Sequence, residues 1–172
     1  MQINTLQQLL ETLKLEMTEN YMIKSKLVIF LFRVANYFAY KPKVTWLLTF
    51  PIFVLYIFIT EWVLGIEIPI KTKIGKGFKV YHGVGLVING YSVIGKNFTV
   101  RQGVTIGNKT LSDGSLSNSP LIGDNVELGA SVIIIGEITI GHNVKIGAGT
   151  VITKSIADDK NVVGAKFREL VL

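Results

Sequence analysis

The chain of 172 residues has no cysteine, only two histidines and only four prolines, and charged residues make up just 17% of it. Without cysteine there are no disulfides, thiolate metal sites or thiol nucleophiles, and the redox compartment stays open. Two histidines fall short of a three-imidazole zinc site, so no metal is expected. Acidic residues are unevenly scarce. From Asn20 to Thr60 there is none, while Lys24, Lys26, Arg33, Lys41 and Lys43 stand among Leu, Ile, Phe, Tyr and Trp. The net charge of +6 belongs to a chain that is 49% hydrophobic, a pairing that favours an anionic lipid surface over nucleic acid. Residues 1–20 are polar and helix-like with no cleavage pattern, so the expected location is the cytoplasm.

The texture changes near residue 64. Residues 1–64 read as an apolar helical segment, 65–165 as a repeat domain and 166–172 as a tail. The run from Val44 to Thr60 is uncharged for 17 residues, the lower limit for a membrane span, and Pro51 interrupts it. Two amphipathic or buried helices, LVIFLFRVANYF and PIFVLYIFITEWVL, hinged by YKPK and Pro51, are expected instead. Residues 20–60 would then pack on the protein or meet a membrane peripherally.

Beyond residue 64 aliphatic residues recur every six positions. Ile122, Leu128, Ile134, Ile140, Ile146 and Ile152 keep one phase, Ile94, Val100 and Ile106 a second, and Ile68, Ile74, Val80 and Leu86 a third. A period of six matches neither an α-helix nor a heptad. Six residues make one short strand and a turn, with GKN, GDN and GHN supplying turn residues. Three such faces close a triangular coil of about 18 residues, and successive coils stack at about 4.8 Å. The phase slips twice. Leu86 to Ile94 is eight residues, which points to a two-residue bulge at VING. Ile106 to Ile122 is sixteen, so NKTLSDGSLSNSP leaves the prism, either as four residues beyond two hexads or as a longer excursion replacing them. An extruded loop on a regular solenoid is where function is expected.

The stretch KVYHGVGLVING places His82 among glycines beside a phase slip. Histidine alone takes and returns a proton near neutral pH without a perturbed pKa. Gly83 and Gly85 open backbone beside it. Asn89 reads as a turn residue or an acceptor contact, Asp113 as a turn former, His142 as solvated, and Arg101 and Lys109 as surface cations near the loop.

The hexads, the His82 context and the loop position together resemble the left-handed parallel β-helix acyltransferases of the hexapeptide-repeat family, within their serine acetyltransferase branch. IEIPIKTKIGKGFKVYHGVGLVINGYSVIGKNFTVRQGVTIG is similar to that branch. The short apolar leader and the VIN after the histidine are closest to its exopolysaccharide and capsule O-acetyltransferases. The resemblance implies a mainly β fold, acetyl-CoA as acetyl donor, and a homotrimer with the donor between prisms. The family's catalytic histidine falls on His82, and its orienting carboxylate on Glu67. Gly129, Ala130, Gly147 and Ala148 fall where small side chains admit pantetheine, and Thr153 and Lys154 fall at the nucleotide end.

Three departures qualify the match. Tyr81 stands where serine acetyltransferases have Asp, and Asn118, Ser119 and Pro120 stand for Arg-His-Pro. The terminal Gly-x-Pro-Ala element is reduced to Gly164, Ala165, Lys166 and Phe167. An amino-acid acceptor needs a cation for its carboxylate. The expected activity is therefore O-acetylation of a saccharide hydroxyl in an envelope polysaccharide or its precursor. His82 would act as general base, with Tyr81, Asn89 and Asn118 near the acceptor. Serine acetyltransferase and a non-catalytic or membrane-attached β-helix scaffold are the alternatives.

Overall fold

Inward aliphatic side chains stack coil on coil in the computed structural model, which describes residues 3–164. The tail assigned to 166–172, and Ala165 to Phe167, lie outside the described residues. Among the described residues fourteen short strands form three parallel faces. The first face takes β1 (Ile66–Glu67), β4 (Leu86–Ile88), β7 (Thr105–Gly107), β10 (Ile133–Ile135) and β13 (Val151–Ile152). The second takes β2 (Lys73–Ile74), β5 (Val93–Ile94), β8 (Leu121–Ile122) and β11 (Thr139–Ile140). The third takes β3 (Lys79–Tyr81), β6 (Thr99–Arg101), β9 (Glu127–Leu128), β12 (Lys145–Ile146) and β14 (Asn161–Val162). This is a parallel β-solenoid of about five turns with a helical N-terminal segment.

Regular coils take 18 residues, as in Ile122 over Ile140 and Leu128 over Ile146. The turns between the second and third faces carry a side-chain ladder. Asn97 donates to Asn125, Asn125 to Asn143, and Asn143 to Asp159, each at 2.8 Å. All four have left-handed φ of 54–58°, a conformation Asn and Asp tolerate best among non-glycine residues. His142 belongs to this edge. Its Nδ1 accepts from the Asp124 N–H at 3.0 Å, so it is exposed and also holds two coils together.

Register relocates the first phase slip. Tyr81 pairs with Arg101, and Gly85 lies over Gly103, so two residues of the chain between Tyr81 and Val84 have no counterpart in the next coil. Those two are His82 and Gly83. The expected bulge at VING is incorrect, because Ile88 stacks on Ile106 in normal register. Both Leu86 and Ile88 point inward, and counting hexads cannot tell which continues the column. At the second slip Ile94 pairs with Ile122 across 28 positions instead of 18, so ten residues leave the prism. They form a small hairpin with a Thr110–Leu116 bridge. Asp113 turns its tip by accepting from the Ser115 N–H and hydroxyl, bonds that hold its carboxyl below the usual range.

The open N-terminal end of the prism would expose strand-edge amides and carbonyls, and side chains from the helices satisfy them. α1 (Leu6–Glu19) and α2 (Ile23–Ala39) bring Glu16 and Arg33 together at 2.6 Å, both inside the protein. Arg33 also donates to the carbonyls of Ile74 and Gly75 at 2.7 Å, and Glu16 accepts from the Phe78 N–H at 2.9 Å. Asn20 bonds Phe78 and Val80, and Asn36 donates to the carbonyls of Ile70 and Thr72. Phe32, Phe78 and Phe98 join the two parts in one core. Residues 3–64 are thus the prism's lid as well as a helical segment.

Two expectations for the helices are corrected. Arg33, at 1% exposure, is consumed by its ion pair and cannot face lipid. Pro51 does not end a helix: it sits inside α3 (Trp46–Ile57), which continues as a π-helical stretch over Phe58–Val63. The ring removes the amide partner of the Leu47 carbonyl, which stands on the solvent side where water can take its place.

Candidate active site

His82 enters the turn from the third to the first face with φ of 68°, a left-handed conformation that costs an ordinary residue roughly 1–2 kcal/mol. Backbone strain of this kind collects at functional sites. Gly83 beside it is buried, also left-handed, and a Cβ there would stand 2.8 Å from Ile66 Cδ1. The pair therefore lifts the imidazole out of the coil. The ring is exposed, on an edge that continues through Gln102 and Ala130 to Ala148 at one coil per step, about 4.8 Å each.

The sequence-derived site residues fall on two edges of the first face. Tyr81, His82, Ala130 and Ala148 share the edge where the third face meets the first. Tyr81 is held beneath the Arg101 guanidinium at 4.9 Å, and Arg101 reaches Glu127 at 3.5 Å. Gly129 and Gly147 lie just behind, in a groove of about 460 Å³ on the third face that Glu127 and Lys145 also line. A Cβ on Gly129 would come within 2.5 Å of the Ala148 amide, so coil stacking alone demands glycine there. Glu67 projects from β1 on the first face. Its charge, after burial, pushes the Glu61 carboxyl up, which places the two carboxylates as neighbours. Among the described residues no hydrogen bond joins Glu67 to His82.

Asn89, Asn118, Thr153 and Lys154 lie at the other edge, where the first face meets the second. From Gly85 to Asn89 is four strand steps, about 13 Å. The loop base forms a pocket of about 670 Å³ there, lined by Tyr91, Asn108, Leu116 to Ser119, Leu121 and Glu137 to Thr139. Ser119 donates to Asn89 at 2.9 Å, and Asn118 donates to Glu137 at 2.9 Å. Among the described residues no cation lines this pocket, and Glu137 is the one charged group in its lining. Sequence reasoning singled out Gly83 beside His82 but missed Tyr91 and Glu137. Glu137 was within reach, since it lies one 18-residue coil after Ser119.

The bacterial transferase hexapeptide model of six repeats matches residues 119–154. WcaB of Escherichia coli (strain K12), assigned to acetyl transfer in colanic acid biosynthesis, is 47% identical over 122 residues, which cover 71% of this chain and 74% of WcaB. The serine acetyltransferase of Staphylococcus aureus (strain Mu50) is 42% identical over 62% of this chain and 49% of its own length. Among solved structures, serine acetyltransferase isoform 3 of Entamoeba histolytica, in complex with cysteine, superposes with a TM-score of 0.70 at 31% identity. The match covers 95% of this chain and 59% of that one, so this chain spans less than two thirds of that enzyme. The protein belongs to the hexapeptide-repeat acetyltransferases, and its activity is acyl transfer. That class implies acetyl-CoA as the acetyl donor.

Proposed function

We propose that the protein acetylates a saccharide hydroxyl of an envelope polysaccharide or its precursor, in the cytoplasm at the inner face of the membrane. The observation that carries this reading is the loop-base pocket, whose described lining offers amides, hydroxyls, one carboxylate and no cation. A serine acceptor would bring a carboxylate against Glu137 with no cation in the described lining to bind it, whereas a sugar's hydroxyls match Asn118, Ser119 and Glu137. Tyr91, 86% exposed at the rim, offers a flat apolar face to a pyranose ring. WcaB's assignment to a polysaccharide pathway supports the same choice.

In this mechanism His82 takes the proton of the attacking hydroxyl as the new C–O bond forms, then returns it to the departing thiolate of coenzyme A. Gly129, Ala130, Gly147 and Ala148 leave room along the wall for the donor's pantetheine arm, and the groove on the third face fits a slender chain. Glu67 orients the imidazole only if the ring swings toward the first face when substrates bind. Steady-state assays with acetyl-CoA decide the acceptor. Methyl hexosides should accept acetyl and L-serine should not; turnover of serine alone would replace this reading with the serine acetyltransferase one.

We also propose a homotrimer whose active sites lie between prisms. Its support is the separation of the His82 edge from the Asn118 edge across the first face of one chain. A neighbouring prism would bring its loop edge to His82, closing a cyclic assembly. Co-expressing His82→Ala with Asn118→Trp, each inactive alone, should restore acetyl transfer in mixed assemblies. A mixture as inactive as its parts, or a monomer by light scattering, would refute the shared site.

A further inference from the structure

Among the described residues, only one side of α3 and its π-helical extension meets the protein. Thr49, Phe53, Tyr56 and Thr60, at helical spacing, face the core, and the Tyr56 hydroxyl donates to the Ile68 carbonyl. The opposite side is apolar and open. Leu47, Leu48, Val54, Leu55, Phe58 and Trp62 lie along it, with Leu47 at 86%, Leu48 at 83% and Trp62 at 82% exposure. Such a stripe on a water-soluble surface marks a docking face. A second exposed row, Ile23, Leu27 and Phe30, runs along neighbouring α2.

The charges around the stripe point to its occupant. Lys43 stands at the start of α3, Lys41 in the preceding turn, and the Lys71 ammonium lies 5.3 Å from the Trp46 ring. No acidic residue occurs from Asn20 to Thr60, so the N-terminal end of the stripe carries lysines unopposed by its own segment. We infer that α3 lies in the interface of an anionic bilayer, its apolar side seated among the acyl chains and its lysines on the headgroup phosphates. The helix does not cross the membrane, because its other face is spent on the prism through Phe53, Tyr56 and Thr60. Trp62 suits the interfacial depth, where an indole keeps an apolar body and a polar N–H each in their medium. The inference deepens the proposed function by placing the enzyme where a lipid-linked saccharide would be presented, and it rests on that reading only for its purpose.

Vesicle flotation of the full chain tests it without any acceptor. The protein should float with vesicles containing phosphatidylglycerol, much less with pure phosphatidylcholine, and should be released by high salt. Lys43→Gln and Lys71→Gln should each weaken binding about fivefold, and the double variant Leu47→Glu/Leu48→Glu should abolish it while leaving acetyl transfer to a soluble hexoside unchanged. In Trp46→Phe, where Trp62 is the remaining indole, emission should shift to the blue on adding the anionic vesicles. Absence of flotation at low salt, unchanged binding by the leucine variant, or a fall in oligomer size in that variant would overturn the inference, the last by assigning the stripe to a second copy of the chain. Acetylation of soluble hexosides would stand in each case.

Discussion

His82→Ala is expected to lose about 10² to 10⁴-fold in acetyl transfer, the usual worth of a positioned general base. Its fold should be retained, because the ring is exposed and lies outside the stacked coil. His82→Gly separates chemistry from structure more sharply. Glycine adopts φ of 68° without the penalty histidine carries there, so this variant should unfold at the same or a higher temperature than the parent while remaining as inactive as His82→Ala. Kinetics and thermal unfolding measured on the two variants decide the point. An alanine variant with most of its activity would remove His82 from the mechanism, and a glycine variant less stable than the parent would mean that the imidazole supports the turn.

The largest stability effect is expected at the lid. Arg33→Met leaves the Glu16 carboxylate without its cation inside the protein, and breaking one side of a buried pair costs about 3 to 5 kcal/mol. It also strips two hydrogen bonds from the carbonyls of Ile74 and Gly75 at the first coil. Removing both charges, as Glu16→Gln/Arg33→Met, should recover part of the loss, since no isolated charge then remains buried. Urea denaturation of the two variants measures this. A loss below about 1 kcal/mol in Arg33→Met, the range of exposed pairs, would mean that water reaches Glu16.

The six-residue recurrence was enough to determine the solenoid, since no other regular structure buries one aliphatic residue in six along a line of coils. The turns GKN, GDN and GHN became the asparagine ladder for the same local reason: Asn and Gly tolerate left-handed backbone. The loop at 108–119 was also legible, because it breaks the period by more than a turn can absorb. Arg33 was not legible as an interior residue. Nothing in its neighbourhood predicts that Glu16, 17 positions earlier, will meet it inside the protein, or that two carbonyls of the first coil will complete its hydrogen bonds. His82 was visible as a candidate, yet its place as one of two extra residues in a corner follows only from the register of Tyr81 on Arg101 and Gly85 on Gly103.

Sequence by itself therefore determined the class of fold and the family, because each is written in local spacing that every coil repeats, and it singled out His82 as the candidate base. Tertiary structure alone decided that His82 and Asn118 stand on opposite edges of one face, and that no cation lines the loop-base pocket among the described residues. It also decided that α3 keeps an open apolar side while α2 is drawn into the lid. Those outcomes depend on which coils stack and which side chains cross between distant segments, and a period of six carries no information about either.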